Sequence, residues 1–126
     1  MIGILPEGSM SSILVVDDDE LITDVMVNFF EDQGYAVRIA PSGEAALELL
    51  DSFSPDYIIS DLRLPGMDGF ALISAVLDRK PSLKCLIMSG AIEDIPPALA
   101  AKGITDNNLL QKPAALSAIE ERILSL

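Results

Sequence analysis

Five short apolar runs, separated by stretches with helical periodicity, constrain the fold of this chain more than any other feature. The runs are ILVV, YAVRIA, DYIIS, LKCLIMS and NLLQ, beginning at Ile13, Tyr35, Asp56, Leu83 and Asn108. An unbroken run such as ILVV lacks the alternation of a half-exposed strand, and suits a strand buried on both faces. Between the first two runs, Leu21, Ile22, Val25, Met26, Phe29 and Phe30 form one stripe at helical spacing, and Gly34 stands where that helix would end. Ser42 and Asp68 are placed as N-caps for GEAALELL and GFALISAVLDR, the second stopping ahead of Pro81. Pro113 is expected to open a last helix that presents Leu116, Ile119 and Ile123 on one face. Strand and helix alternate throughout, which predicts an α/β fold with a doubly wound, five-stranded parallel sheet and helices on both faces.

Arg38 lies inside the second run and is tolerable only on an edge strand, which favours the flavodoxin-like strand order 2-1-3-4-5. In such sheets functional groups gather beyond the carboxyl ends of the strands, near the switch in strand order. Here the first strand ends at Asp17 and Asp18, the third at Asp61, the fourth at Ser89 and the fifth at Lys112. Strands one and three are neighbours in this order, so three carboxylates should meet. Like charges that close repel, and one pKa must rise unless a cation intervenes. A hard divalent ion answers this, best Mg2+ (or Mn2+), which takes one or two carboxylates, keeps several waters and favours phosphate chemistry. Acids are also favoured at a helix N-terminus by the macrodipole, which accounts for Asp19 and Glu20. For Asp17 and Asp18 taken alone, metal ligation and helix placement balance. The remaining strand ends tip that balance, because a carboxylate, a hydroxyl and an ammonium around a metal make a phosphoryl site. Asp61 can act as nucleophile, while the metal, Lys112 and Ser89 each meet one equatorial oxygen of the transferring group.

Charge narrows the partners. Twenty acids against 8 bases, with no histidine, give a formal net charge of −12. That argues against direct binding to nucleic acid or to an anionic membrane. No apolar stretch approaches the roughly 20 residues of a membrane span, and the start lacks the basic residues of a signal peptide, so a cytoplasmic location is expected. The 126 residues fit one domain, taken as 11–126, with 1–10 as a leader or expression remnant. The lone Cys85 excludes an internal disulfide and reads as a small buried hydrophobe.

The motifs VVDDDE, DLRLPGMDG, IMSG and QKP occur in one order over residues 12–125, and in this the chain resembles the receiver domain of response regulators in two-component phosphorelays. The most specific is Asp61 followed by Pro65, Gly66, Asp68 and Gly69. The resemblance implies that Asp61 accepts a phosphoryl group from a phosphohistidine, on a sensor histidine kinase or a histidine phosphotransfer protein. It implies that Asp18 and Asp61 ligate magnesium directly, with the backbone carbonyl of Arg63, while Asp17 acts through water. Ser89 becomes the switch hydroxyl and Lys112 the paired lysine. Such a domain is a phosphoacceptor that assists its own phosphorylation and dephosphorylation rather than an enzyme acting on a separate substrate.

Three departures stand against that pattern. Leu109 occupies a position where the family usually has an aromatic, Pro96 and Pro97 fall where a fourth helix normally starts, and KGITDNN is longer than usual. The fourth helix is therefore expected to begin late, near Pro96, and to be short. An aspartyl-phosphate hydrolase of the haloacid-dehalogenase kind would carry a second aspartate at position 63, where this chain has Arg63. A flavin module would need a phosphate-binding loop after the first strand, which is lacking. The stronger alternative is a receiver-shaped interaction module that signals without phosphate-driven switching, favoured by Leu109 and the paired prolines and opposed by the complete acidic pocket.

Overall fold

Alternate residues of β1 (Ser12–Val16) enter two different cores, which is why that strand needs an unbroken apolar run. The computed structural model describes residues 10–126. The expected leader falls, for residues 1–9, outside them. After β1 come α1 (Glu20–Asp32), β2 (Ala36–Ala40), α2 (Gly43–Leu49), β3 (Tyr57–Asp61), α3 (Gly69–Arg79) and β4 (Lys84–Ser89). A short α4 (Pro97–Ala100), a 3-10 turn (Asp106–Asn108), β5 (Leu109–Gln111) and α5 (Leu116–Leu124) complete the chain. The sheet is wholly parallel in the order β2-β1-β3-β4-β5, as the sequence predicts.

Leu14 and Val16 face a core built with Ile58, Leu72, Val76 and Ile87, whereas Ile13 and Val15 face Phe30, Ile59, Leu86, Ile119 and Ile123. Arg38 is exposed on the edge strand, with its guanidinium 5.5 Å from the centre of the Phe53 ring. Gly34, at φ +95°, lets the chain turn out of α1 in a conformation that a Cβ disfavours.

Three expectations need correction. The α1 stripe is only half covered: Met26 and Phe30 are buried, while Leu21 is 76 % and Val25 52 % exposed. The fifth strand begins at Leu109, because Asn108 is held in the 3-10 turn, where its Nδ2 donates to the Cys85 carbonyl at 2.8 Å. The last helix opens at Leu116, not at Pro113, which follows a cis peptide in the β5–α5 loop. Lys112 still extends the sheet ladder, its N–H donating to the Ser89 carbonyl at 2.7 Å, so the chain must first turn back before a helix can form. The fourth helix does start late: α4 is four residues long, with Pro97 in its first turn. Lys102 beyond it donates to Ser74 Oγ at 2.8 Å and Asp78 Oδ1 at 2.6 Å, tying this segment to α3.

Candidate functional site

The strand register aligns the carboxyl ends of the central strands. Val16 lies opposite Ser60, and Asp61 opposite Met88, so the residues following β1 and ending β3 share one edge. Asp17 N–H donates to the Ala40 carbonyl at 3.1 Å, which holds the residue against the sheet after β1 has ended. Its carboxylate is buried, and Oδ1 accepts from the Asp19 N–H at 2.9 Å. Asp19 is in turn the N-cap of α1, its side chain accepting from the Leu21 N–H at 3.0 Å. The acids thus divide: Asp19 serves the helix terminus, as expected, while the Asp17 carboxylate is buried beside it.

Asp17, Asp18 and Asp61 each offer a carboxylate oxygen, and these oxygens lie within 4.8 Å of one another. Asp18 is exposed, whereas the Asp61 side chain retains only 12 % of its accessible area. Burial pushes the Asp17 carboxyl above its ordinary value; the Asp19 N–H opposes the shift, Asp61 and Asp18 add to it, and the Lys112 charge lowers it. Lys112 Nζ sits 3.0 Å from Asp61 Oδ1. Three carboxylates therefore face one ammonium across an all-oxygen donor set, an arrangement that suits a hard divalent cation.

The loop after β3 is packed tightly enough to fix Asp61. Leu62 N–H donates to the Met88 carbonyl at 2.8 Å and Gly69 N–H to the Leu62 carbonyl at 2.8 Å. A Cβ on Gly69 would lie 2.6 Å from the Asp61 carbonyl oxygen, so the start of α3 approaches β3 closely only because residue 69 has no side chain. Asp68 caps α3 by accepting from the Ala71 N–H at 2.8 Å.

Ser89 ends β4 and is 4 % exposed. Its hydroxyl donates to Glu93 Oε2 at 3.1 Å and accepts from the Ala91 N–H at 3.2 Å. The same Glu93 oxygen is 3.3 Å from Arg63 Nη2. Arg63 thus lies in the loop beside Asp61, with its guanidinium turned to Glu93. Glu93 was not among the residues expected at the site. Nothing in its spacing separates it from the neighbouring Asp94, because its place depends on the path of a loop and not on a periodic pattern.

Beside the acids lies an apolar recess of about 330 Å³, with Ile22, Val25, Met26, Met88, Pro113 and Leu116 in its wall and Asp61 and Lys112 at its rim. Leu109 is half-buried against the α2–α3 core, and its carbonyl accepts from Arg122 Nη1 at 2.7 Å.

A family model described as response regulator receiver domain matches residues 13–124. The DNA-binding transcriptional regulator NtrC of Escherichia coli K12 is 36% identical over 114 residues, covering 88% of this chain and 24% of that protein. The chain therefore spans about a quarter of the length of that relative. Among solved structures, the chemotaxis response regulator CheY4 of Vibrio cholerae aligns with a TM-score of 0.78 at 27% identity, covering 91% of this chain and 99% of that one. A Burkholderia pseudomallei response regulator, described with a phosphorylated aspartic acid, a calcium ion and citrate, aligns at 0.78 and 29% identity, covering 90% of this chain and 66% of that one.

Proposed function

Because the chain belongs to the response regulator receiver domain family, we propose that its phosphoacceptor is Asp61 and that Asp17, Asp18 and the Arg63 carbonyl complete a magnesium site with it. Receiver domains are the phosphoacceptor modules of two-component signalling, and this chain is one of them. The observation that carries the assignment is the convergence of Asp17, Asp18 and Asp61 at one strand edge, with Lys112 paired to Asp61 at 3.0 Å.

Asp61 is the one of the three acids whose largely covered carboxylate is in direct ion-pair contact with Lys112. In the transfer an Asp61 carboxylate oxygen forms a bond to phosphorus as the P–N bond of a phosphohistidine breaks. The electron pair stays on the ring nitrogen, and the imidazole, protonated on its other nitrogen, leaves neutral. Lys112, already at Asp61, moves its hydrogen bond and charge to a phosphoryl oxygen, and the Ser89 hydroxyl donates to another. Asp17, Asp18, Asp61 and the Arg63 carbonyl would hold magnesium or manganese, which would supply charge neutralisation to the transferring group. The same groups, turned on the aspartyl phosphate and a water, make the domain assist its own dephosphorylation.

The histidine donor must come from elsewhere, since the chain has no histidine; a sensor histidine kinase or a histidine phosphotransfer protein fits. Among the described residues no helix is long and apolar enough to cross a membrane. A cytoplasmic acceptor that does not itself bind nucleic acid or membrane agrees with this and with the net charge of −12. Incubation with a small phosphodonor and magnesium should yield acid-labile phosphate that Asp61→Asn abolishes without unfolding the chain. Undiminished labelling of that variant would move the acceptor to Asp17 or Asp18. A second reading, an interaction module with phosphate-independent switching, draws on Leu109 and the four-residue α4; a partner bound equally by the labelled chain and by Asp61→Asn would favour it.

A further inference from the structure

We propose that Glu93 is an internal competitor for the switch hydroxyl: its carboxylate holds Ser89 in the unphosphorylated arrangement and sets how readily the domain turns on. The inference rests on Asp61 as the phosphoacceptor and concerns how its occupancy is read. A serine hydroxyl has one proton to donate. In this structure that proton is directed at Glu93 Oε2, at 3.1 Å, while a lone pair of the same hydroxyl accepts from the Ala91 N–H at 3.2 Å. Ser89 cannot donate to a phosphoryl oxygen on Asp61 without surrendering Glu93.

The competitor is well held. Its Oε2 also meets Arg63 Nη2 at 3.3 Å, and the Glu93 side chain is only 17 % exposed, although it belongs to the loop between β4 and α4. A charge-assisted bond inside a partly desolvated loop is stronger than a neutral one. Arg63 follows Asp61 by two positions and Glu93 follows Ser89 by four, so the loop after the phosphoacceptor strand and the loop after the switch-hydroxyl strand are clasped to each other through one carboxylate oxygen. A phosphoryl group at Asp61 brings its own negative oxygens to Ser89 and to the Arg63 side of the pocket. It therefore takes the proton that Glu93 was accepting, and the Glu93 carboxylate, now facing like charge, leaves. Release of residues 90–96 follows from that exchange and does not require an aromatic at position 109. The equilibrium between the two arrangements shifts only by the difference between what Ser89 gains from phosphoryl and what it loses at Glu93.

Glu93→Ala should tighten binding of beryllofluoride with magnesium by about tenfold, equivalent to about 1.4 kcal/mol, measured by titration of backbone amide resonances. The effect must pass through Ser89, so in a Ser89→Ala background the same substitution should change affinity by less than about twofold. The loop position of Glu93 makes loss of folding detectable as a changed amide spectrum before any ligand is added. Unchanged affinity in Glu93→Ala overturns the competitor while leaving Asp61 as acceptor. Equal tightening with and without the Ser89 hydroxyl also overturns it, because removal of a negative charge near the pocket would then explain the gain. If the unsubstituted chain binds no beryllofluoride at any magnesium concentration, the phosphoacceptor assignment fails together with it.

Discussion

At Gly69 the site tolerates least. A methyl there would meet the Asp61 carbonyl oxygen at 2.6 Å and Leu62 Cα at 2.8 Å, and both are backbone atoms with no rotamer to yield. Gly69→Ala is expected to destabilise the fold by about 1–3 kcal/mol, as overpacking does. It should also slow phosphate incorporation, since the displaced atoms carry the proposed nucleophile. Urea denaturation and the rate of labelling by a small phosphodonor check the two effects; a normal rate at reduced stability would show that the loop yields without moving Asp61. Cys85 offers a contrasting test. Burial pushes its thiol up to about 12, so the folded chain should resist iodoacetamide at pH 8 and react promptly in denaturant, read by mass. The meeting of Asp17, Asp18 and Asp61 with Lys112 was legible in the sequence because apolar runs end at these residues and the strand order brings those ends together. Glu93 was not, since a loop acid acquires its partners only from the folded path.

Secondary elements divide the movers from the fixed parts by their ties. β5 has its Leu109 carbonyl held by Arg122 at 2.7 Å and its ladder continued by Lys112, whereas residues 90–96 lie outside any helix or strand. Phosphate mimicry should therefore alter hydrogen exchange across residues 90–97 and leave Asn107 to Gln111 nearly unchanged. Comparable changes in both would show that a conventional switch operates with Leu109 in place of the aromatic. At the opposite end of the sheet, Tyr35 joins the start of β2 to α5, its hydroxyl donating to Glu120 Oε2 at 3.1 Å. Burial and that hydrogen bond raise its phenol from 10.0 to about 12. A raised pKa means a contribution to stability that is complete below pH 10 and lost as pH rises from 10 to 12. Absorbance titration of the folded chain should show a late ionisation that Tyr35→Phe removes, and the same substitution should remove the corresponding part of the alkaline stability loss. Element types followed from the sequence because two-sided burial and helical stripes leave strong patterns. The start of α5 did not, because a proline suited to a first turn is equally suited to the loop that precedes it, and only the Lys112–Ser89 ladder bond decides between them.

Over the whole molecule, the proposed metal site links pocket chemistry to folding. The three carboxylates meet only when β1 and β3 pair, so an ion bound there favours the folded state. Magnesium at a hundred times its dissociation constant should stabilise the domain by about 2.7 kcal/mol, and Asp18→Ala should remove most of that gain. Thermal unfolding with and without magnesium checks it, and an unchanged midpoint for the unsubstituted chain would count against the site. The strand order was legible from one residue, Arg38, whose charge is intolerable in a central strand. The two cores on either side of the sheet have a further consequence. Buried residues facing α2 and α3 are distinct from those facing α1 and α5, and the sheet backbone alone separates the two sets. Substitutions that reshape the recess beside α1 therefore need no compensating change on the α3–α4 side. In evolutionary terms the sheet is a firewall: the surface beside the phosphoacceptor and the surface beyond Leu109 are free to diverge at separate rates within one small gene segment.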